Sequence, residues 1–391
     1  IAPPVMIARI IIPIVLSIVL SDLYIDWHYR RRHPNCRWWM RALWWMPGVL
    51  LLGYAVALAT IRNFVPDDLI WVNVFMVLMG LVVVPKVLFA LCSGVGFVCC
   101  RLTGGHRNWG NLLAMVLILG NWYVLAYGFA VGIDRLEVRR VDLYFNNLPD
   151  AFEGYRIVQF TDAHVGTLEA RNVGLLKRDL DSINAQRPDL IVFTGDLQNA
   201  QPQELYPVSG LLASLKARDG VMSVLGNHDY SKYVHASPAV EAANRAETIA
   251  QQRRCGWRVL LNEHVVLRRG QDSIVIAGEQ NYGDPDSANF EKTMHGVGRQ
   301  AFTIMLQHNP AAWDATIVPT KRVALTLSGH THGGQMSVFG WRPTRWVYAE
   351  DYGHYERGES QLFVSSGLGG LVPFRFGISP EIVVITLHKT K

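Results

Sequence analysis

Apolar and polar positions divide this chain into two textures. As far as residue 133 the apolar residues run on almost unbroken, in four stretches at residues 5–25, 43–61, 69–91 and 111–133. Each is close to the ~20 residues that a helix needs to cross the hydrocarbon core of a bilayer. The pattern predicts four transmembrane helices, with Trp27, Trp44, Trp45, Trp71 and Trp109 near their ends, where amphipathic rings settle at headgroup depth. No small-x-small cleavage site follows the first stretch and three more spans come after it, so it reads as a span rather than a removable leader.

Past Val138 the pattern changes to short β-branched runs that end in Gly, Asp or His, separated by helical stretches, which is an α/β signature. Residues 156–160 read as a buried strand leading into Thr161-Asp162-Ala163-His164, residues 175–184 as a helix, and residues 190–193 as a strand leading into Thr194-Gly195-Asp196. Strands at 221–225, 301–306 and 323–327 lead in turn into Gly226-Asn227-His228-Asp229, Gln307-His308-Asn309-Pro310, and Ser328-Gly329-His330-Thr331-His332-Gly333-Gly334-Gln335. A helix at 239–252, bounded by Pro238 and Gly256, follows His228 closely enough to wall a site there, or simply covers the sheet. The division expected is a four-helix membrane domain over residues 1–133 and an α/β domain over 134–391.

Composition agrees with this division. Half of the 391 residues are hydrophobic and 18% are charged, which is too apolar for one soluble domain and excludes disordered or collagen-like chains. The first 133 residues carry 10 Lys and Arg against 4 Asp and Glu, and the remaining 258 carry 27 against 28. The net charge of +5 therefore reflects membrane flanks and gives no reason to expect nucleic acid as a partner. Four of the five cysteines lie in the front segment and only Cys255 behind it, so no disulfide framework is expected.

Arginines orient the spans. The first loop, residues 26–42, contains Arg30, Arg31, Arg32, Arg37 and Arg41; the second sets Arg62 against Asp67 and Asp68; the third has Arg101 and Arg107. Loops one and three are then cytoplasmic, which puts residues after 133 on the outer side, although Arg135, Arg139 and Arg140 weigh the other way. This predicts an integral protein of a bacterial-type inner membrane with an extracytoplasmic catalytic domain. Arg9, Asp22 and Lys86, inside or at the edge of the apolar stretches, are expected to snorkel toward an interface.

Ligands of open α/β sheets bind beyond the carboxyl ends of the strands, and all five polar clusters are expected there. Carboxylate, imidazole and amide oxygen suit divalent manganese, iron or zinc, and the absence of thiolates argues against a structural zinc site. Two metals ~4 Å apart need a shared ligand, a role that one carboxylate fills with its two oxygens.

In order and in residue type, these clusters resemble the calcineurin-like metallophosphoesterase superfamily, whose pattern is D-x-H, G-D-x, G-N-H-[DE], a downstream His and G-H-x-H. Asp162 and His164 match the first block, Gly195-Asp196 the second, Gly226-Asn227-His228-Asp229 the third, His308 the fourth and Gly329-His330-Thr331-His332 the fifth. The likeness is to the membrane-associated branch whose last block reads Gly-His-Thr-His-Gly-Gly-Gln. It implies a four-layer α/β/β/α sandwich behind the four membrane helices. It also implies two divalent metal ions, manganese first with iron or zinc as alternatives, one held by Asp162, His164, Asp196 and His332, the other by Asp196, Asn227, His308 and His330. His228 is implied as the catalytic residue that binds a phosphoryl oxygen or protonates the leaving alkoxide. Asp229 is expected either to orient the His228 imidazole or to cap a helix.

The tail, with Ser365-Ser366-Gly367-Leu368-Gly369 and Pro373-Phe374-Arg375, is also similar to this branch. Arg342, Arg345 and Arg375 are read as solvated surface residues with a phosphate or headgroup contact as the alternative, and His235, His264, His295 and His354 as surface residues. The implied reaction is metal-dependent hydrolysis of a phosphomonoester, phosphodiester or pyrophosphate. Too few residues separate the last span from the first strand for a flexible stalk, so a lipid-linked phosphate and membrane lipids are the expected partners. A tethered phosphodiesterase for soluble substrates and a non-catalytic metal-binding sensor are the alternatives. The sequence gives no oligomeric state.

Overall fold

The computed structural model describes residues 4–31, 36–61, 69–234 and 236–390. Arg32, Arg62, Asp67, Asp68 and His235 lie outside the described residues, as does the side chain of Arg9. The chain forms two compact units, Ile1–Gly128 and Phe129–Lys391.

In the first unit, α1 (Pro4–Ile25) continues through a π-helical turn, Asp26–Arg30, and α2 covers Trp38–Ala59. Helix α3 (Leu69–Leu78) runs through a second π turn, Met79–Val83, into α4 (Val84–Thr103), and α5 is Trp109–Ala130. Pro85 at the start of α4 supplies no N–H, and the helix widens into the π turn just before it. Among the described residues four segments are long and apolar enough to span a membrane, the third running unbroken over Ile70–Thr103. The second and third spans are longer than expected, and Arg101 sits on α4 rather than in a loop. The interruption of the apolar run by Cys92, Ser93 and Gly94 hides this continuation in the sequence.

Asp22 and Lys86 do not snorkel. They pair across α1 and α4 at 2.7 Å, both largely shielded, with the Lys86 ammonium 4.7 Å above the Trp44 ring. Arg41 clamps Asp26 with two bonds of 2.8 and 2.5 Å. Charges inside a membrane bundle persist when each has a partner, because an unpaired one would be solvated by nothing. Ile18, Leu51, Ala55, Leu58, Phe75 and Val83 pack together as the apolar core of this unit.

The second unit is the sandwich. Its first sheet is built from β1 (Glu137–Phe145), β2 (Tyr155–Phe160), β3 (Leu190–Phe193), β4 (Val221–Ser223) and β5 (Arg258–Val259), with α6 (Val165–Ala185), α7 (Ser209–Leu212) and α8 (Pro238–Arg254) between them. The second sheet contains β6 (Glu263–Arg269), β7 (Asp272–Gly278), β8 (Thr303–Leu306), β9 (Leu325–Ser328), β10 (Gly353–Arg357) and β11 (Ser360–Val364), with α9 (Phe290–Thr293) after β7. The last strand, β12 (Glu381–Lys389), returns to the first sheet. The strand orders are β1-β12-β2-β3-β4-β5 and β10-β11-β9-β8-β7-β6. Strands β2 to β5 are mutually parallel, as are β7, β8, β9 and β11, while β12 against β2, β6 against β7 and β10 against β11 are antiparallel.

The central strands are mostly apolar because both faces are covered, with Gln159, Ser223, Thr303 and Thr326 as buried polar exceptions. Ile157, Val192 and Met222 from one sheet meet Ile276, Ile304 and Leu327 from the other in the inner core. Val158, Ile191 and Phe193 face outward onto Leu176, Leu180 and Ile183 of α6. On the far side the covering is thin, led by Trp313 and Ile317 of a single π turn. Helix α6 starts at Val165, ten residues before the apolar periodicity becomes legible, because residues 166–172 carry no apolar stripe.

Candidate metal centre

Both sheets direct the carboxyl ends of their central parallel strands to one edge. Asp162 and His164 follow β2, Asp196 follows β3, Asn227 and His228 follow β4, His308 follows β8, and His330 and His332 follow β9. The chain turns sharply at these ends. Asp162, His164, Asp196, His330 and His332 all have positive φ, between 43° and 73°. That backbone costs a non-glycine residue roughly 1–3 kcal/mol, and it persists where side-chain direction is fixed by the surroundings. Gly195, at φ 100°, stands where a Cβ would come 2.7 Å from His308 Nδ1.

The predicted residues come together as two groups sharing one oxygen. Asp162 Oδ1 lies 3.4 Å from His332 Nε2, and His164 Nε2 lies 3.8 Å from Asp196 Oδ2. On the other side Asp196 Oδ2 is 3.2 Å from His308 Nε2, and Asn227 Oδ1 is 3.2 Å from His308 Nε2 and 2.9 Å from His330 Nδ1. The ligand atoms of Asp162, His164 and His332 fall within 4.8 Å of one another, as do those of Asp196, His308 and His330. The remaining oxygen of Asp196 accepts the His228 backbone N–H at 2.8 Å.

Groups behind the ring nitrogens set their direction. His308 Nδ1 donates to the Thr194 carbonyl at 2.8 Å, His228 Nδ1 donates to the Asn199 carbonyl at 2.5 Å, and His330 Nε2 pairs with the Tyr348 hydroxyl at 2.9 Å. Such bonds fix the tautomer and leave the opposite nitrogen for a ligand. Tyr233 stacks on His228 with ring centroids 4.2 Å apart. Asn199, Tyr233 and Tyr348 carry no motif letter, and nothing in the sequence marks them.

The donor set fits divalent cations. Neither buried ring nitrogen of His164 makes a hydrogen bond, nor does His332 Nδ1. The centre also calls for positive charge: burial opposes protonation of His308, yet the Asp196 carboxylate beside it raises that imidazole to about 9. Burial would lift Asp196 too, but His308 and then His228 hold it well below the usual carboxylate range. Burial pushes Asp162 up to about 7.

Several readings from the sequence are corrected here. Asp229 does not orient the His228 imidazole. Its carboxylate accepts the backbone N–H groups of Asp196 and Gly226 at 2.9 Å each, Leu197 at 3.0 Å and Gln198 at 3.4 Å, while the Asn199 carbonyl holds the imidazole. Arg375 is not on the surface. It is fully buried, and its guanidinium donates to the carbonyls of His332 at 3.1 Å, Ser366 at 2.7 Å and Gly369 at 2.6 Å. It thereby ties the loop after β9 to the loop after β11, where Gly367 passes so close that a Cβ would come 2.6 Å from Asp162 Cβ. Arg342 is also engaged, in a two-bond pair with Asp351 at 2.7 and 2.8 Å, whereas Arg345, His295 and His354 are exposed. His264 is half-buried, with Nδ1 on the Thr293 carbonyl at 2.8 Å. Helix α8 backs the site: Thr248 binds Gln198, which donates to the His228 carbonyl at 3.2 Å.

Glu279 stands just past β7 and accepts from Gln307, the neighbour of His308, at 3.1 Å. Burial, abetted by Asp286 and opposed by the Gln307 bond, pushes its carboxyl from 4.5 up to about 7. The fold favours the neutral form, so this group's contribution is fully present below pH 4.5 and is lost as pH rises to about 7. Glu279→Gln keeps the acceptor and removes the charge. Melting curves of the full chain across pH should show the variant more stable than the parent above pH 7, by at most about 3 kcal/mol, and indistinguishable near pH 4.

Known families match this architecture. Residues 155–334 match the family model described as calcineurin-like phosphoesterase, and residues 8–133 match one described as "Probable Calcineurin-like phosphoesterase, transmembrane domain". An uncharacterized metallophosphoesterase of Bacillus subtilis is 34% identical over 298 residues, covering 72% of this chain and 95% of that protein. A Danio rerio transmembrane protein with a metallophosphoesterase domain is 28% identical over 58% of this chain and 52% of its own length. Among solved structures, a dimetal phosphatase from Danio rerio aligns over 55% of this chain and 88% of that one at 14% identity, with a TM-score of 0.34. The chain belongs to the calcineurin-like metallophosphoesterase family. It is a metallophosphoesterase with a transmembrane domain, and the family implies two metal ions and a phosphorylated substrate.

Proposed function

We propose that this chain is a membrane-anchored phosphohydrolase that cleaves a phosphoester or pyrophosphate bond of a lipid phosphate at the membrane surface. Residues 1–133 are its membrane domain and 134–391 its catalytic domain. The observation that carries this reading is the single oxygen, Asp196 Oδ2, common to two donor groups, with the His228 imidazole anchored beside them. In this reading Asp162, His164, Asp196 and His332 hold one ion and Asp196, Asn227, His308 and His330 the other. Mixed oxygen and nitrogen donors without thiolate suit manganese. When bound, such a pair of ions supplies a nucleophile at neutral pH and offsets the charge of the phosphoryl group.

The protein's own share is positional and acid–base. With Nδ1–H on the Asn199 carbonyl, His228 presents Nε2 to the substrate; in its doubly protonated form it gives the Nε2 proton to the departing oxygen and is left as the neutral Nδ1–H imidazole, while Tyr233 limits rotation of the ring. Helix α5 ends at Ala130 and β1 begins at Glu137, a connection too short for a stalk, which supports a substrate taken from the bilayer surface. The arginine-rich first loop supports an inner-membrane protein with its catalytic domain outside the cytoplasm.

The test is hydrolysis by the detergent-purified full chain, with and without manganese, of lipid-linked diphosphates and phospholipid monoesters beside a water-soluble phosphodiester. Manganese-dependent lipid turnover is the expected result. Cleavage of the soluble ester alone would replace the substrate class by soluble phosphodiesters, and no turnover by metal-loaded protein would replace the enzyme by a sensor.

A further inference from the structure

Between His332 and Tyr348 the chain makes an excursion that the metal centre does not use. Val338 and Trp341 exchange both backbone hydrogen bonds at 3.0 Å, closing a two-residue hairpin turn with Phe339 at φ 51° and Gly340 at φ 81°. Positive φ at both central positions belongs to Asn or Gly, and a bulky aromatic there is under strain. The strained Phe339 is also wholly exposed, at 106%, with Trp346 at 80% and Val347 at 78%. Among the described residues of this unit no other large apolar side chain exceeds 58%. The Trp341 ring meets Trp346 edge-on at 5.2 Å, which joins the hairpin tip carrying Phe339 to the Trp346-Val347 step in one projecting apolar segment. A patch this exposed marks an interaction surface rather than chance scatter.

The patch stands on a stiff base. Asp351 receives two bonds from Arg342 and one from Thr344 at 2.9 Å, so the root of the excursion is pinned. The next residue after Val347 is Tyr348, whose hydroxyl meets His330 Nε2 at 2.9 Å. Exposed tip and metal-centre histidine thus belong to one short, braced segment.

We infer that residues 338–347 insert into the interfacial layer of a phospholipid bilayer and hold the mouth of the metal centre at the headgroups. Tryptophan and phenylalanine with an exposed arginine, here Arg345, are the side chains that partition to that depth. The occupant is a bilayer because the same chain carries four membrane-spanning helices, so a lipid surface is always available to it. The inference rests on the proposed membrane-surface substrate and specifies how the site reaches it.

The test uses the full chain in lipid nanodiscs with and without bromine on the acyl chains. Fluorescence of the parent minus that of Trp346→Phe isolates Trp346 among the other tryptophans, and a residue this exposed can be replaced without loss of fold. The Trp346 contribution should fall by roughly half or more in brominated discs and resist aqueous acrylamide. A contribution unchanged by bromine and quenched by acrylamide like a free indole would overturn the inference, whatever the protein hydrolyses. Strong bromine quenching in a protein that turns over no lipid would uphold the insertion and overturn the substrate reading instead.

Discussion

Asp196→Asn should lower turnover by about 10³-fold or more and release bound metal, without unfolding the protein. One carboxylate oxygen faces both donor groups and the other accepts the His228 backbone N–H, so either orientation of an asparagine fails. With its amide oxygen on that N–H, its NH₂ points at the position where a cation needs a lone pair. Turned over, it sets a donor against a donor. The fold should tolerate the change, because burial raises Asp162 and Asp229 and the Asp196 charge raises them further, a repulsion that asparagine removes. Metal analysis of the purified variant against its melting temperature checks both halves. His228→Ala provides the contrast: it should retain metal and lose about 10²–10⁴-fold in rate, because it removes a proton carrier rather than a shared ligand. Activity surviving in both variants would remove the assigned centre.

These two residues were legible in the sequence because the fold writes its chemistry at strand ends. Leu190–Phe193 is an unbroken apolar run that stops at Thr194-Gly195-Asp196, and the change from apolar to polar marks both the strand and its functional end. Strands β2, β4, β8 and β9 also stop at such clusters, although Gln159, Ser223, Thr303 and Thr326 interrupt or border their apolar runs. Strands β1 and β10 were illegible for a matching reason. Strand β1 alternates exposed and half-buried positions with Arg139 and Arg140 in its middle, and β10 ends in Glu356 and Arg357, so neither presents an apolar run. Contacts made by backbone carbonyls were invisible as well. Asn199 and Thr194 orient His228 and His308 through main-chain oxygens that any residue supplies, and Arg375 reads as a surface cation until the fold brings the carbonyls of its own loop and of His332, 43 positions away, around it. The ion pair of Asp22 and Lys86 is illegible for the same reason, since pairing across 64 positions depends on how helices pack.

Asp229→Ala should cost roughly 3–5 kcal/mol of stability and also depress turnover, although backbone N–H groups, not the His228 ring, occupy this carboxylate. Its oxygens accept four backbone N–H groups, those of Asp196, Leu197 and Gln198 after β3 and of Gly226 after β4. Alanine leaves all four buried donors without an acceptor, and each such group bears a desolvation penalty of about 1–3 kcal/mol that partial relaxation only lessens. The turns it joins carry the shared ligand and the Asn227-His228 pair, so slackening them moves Asp196 Oδ2, Asn227 Oδ1 and the His228 ring together. This makes Asp229 a positioning residue. Its signature should be weaker divalent-metal affinity and lower kcat with a nearly unchanged KM for the hydrolysed phosphate ester, together with a melting temperature well below that of His228→Ala. Asp229→Asn, which keeps one acceptor oxygen, should fall between parent and alanine variant in both stability and metal affinity. Parent-like melting and metal binding in Asp229→Ala would show that the two turns hold their shape without the carboxylate, and would return Asp229 to a direct role beside His228.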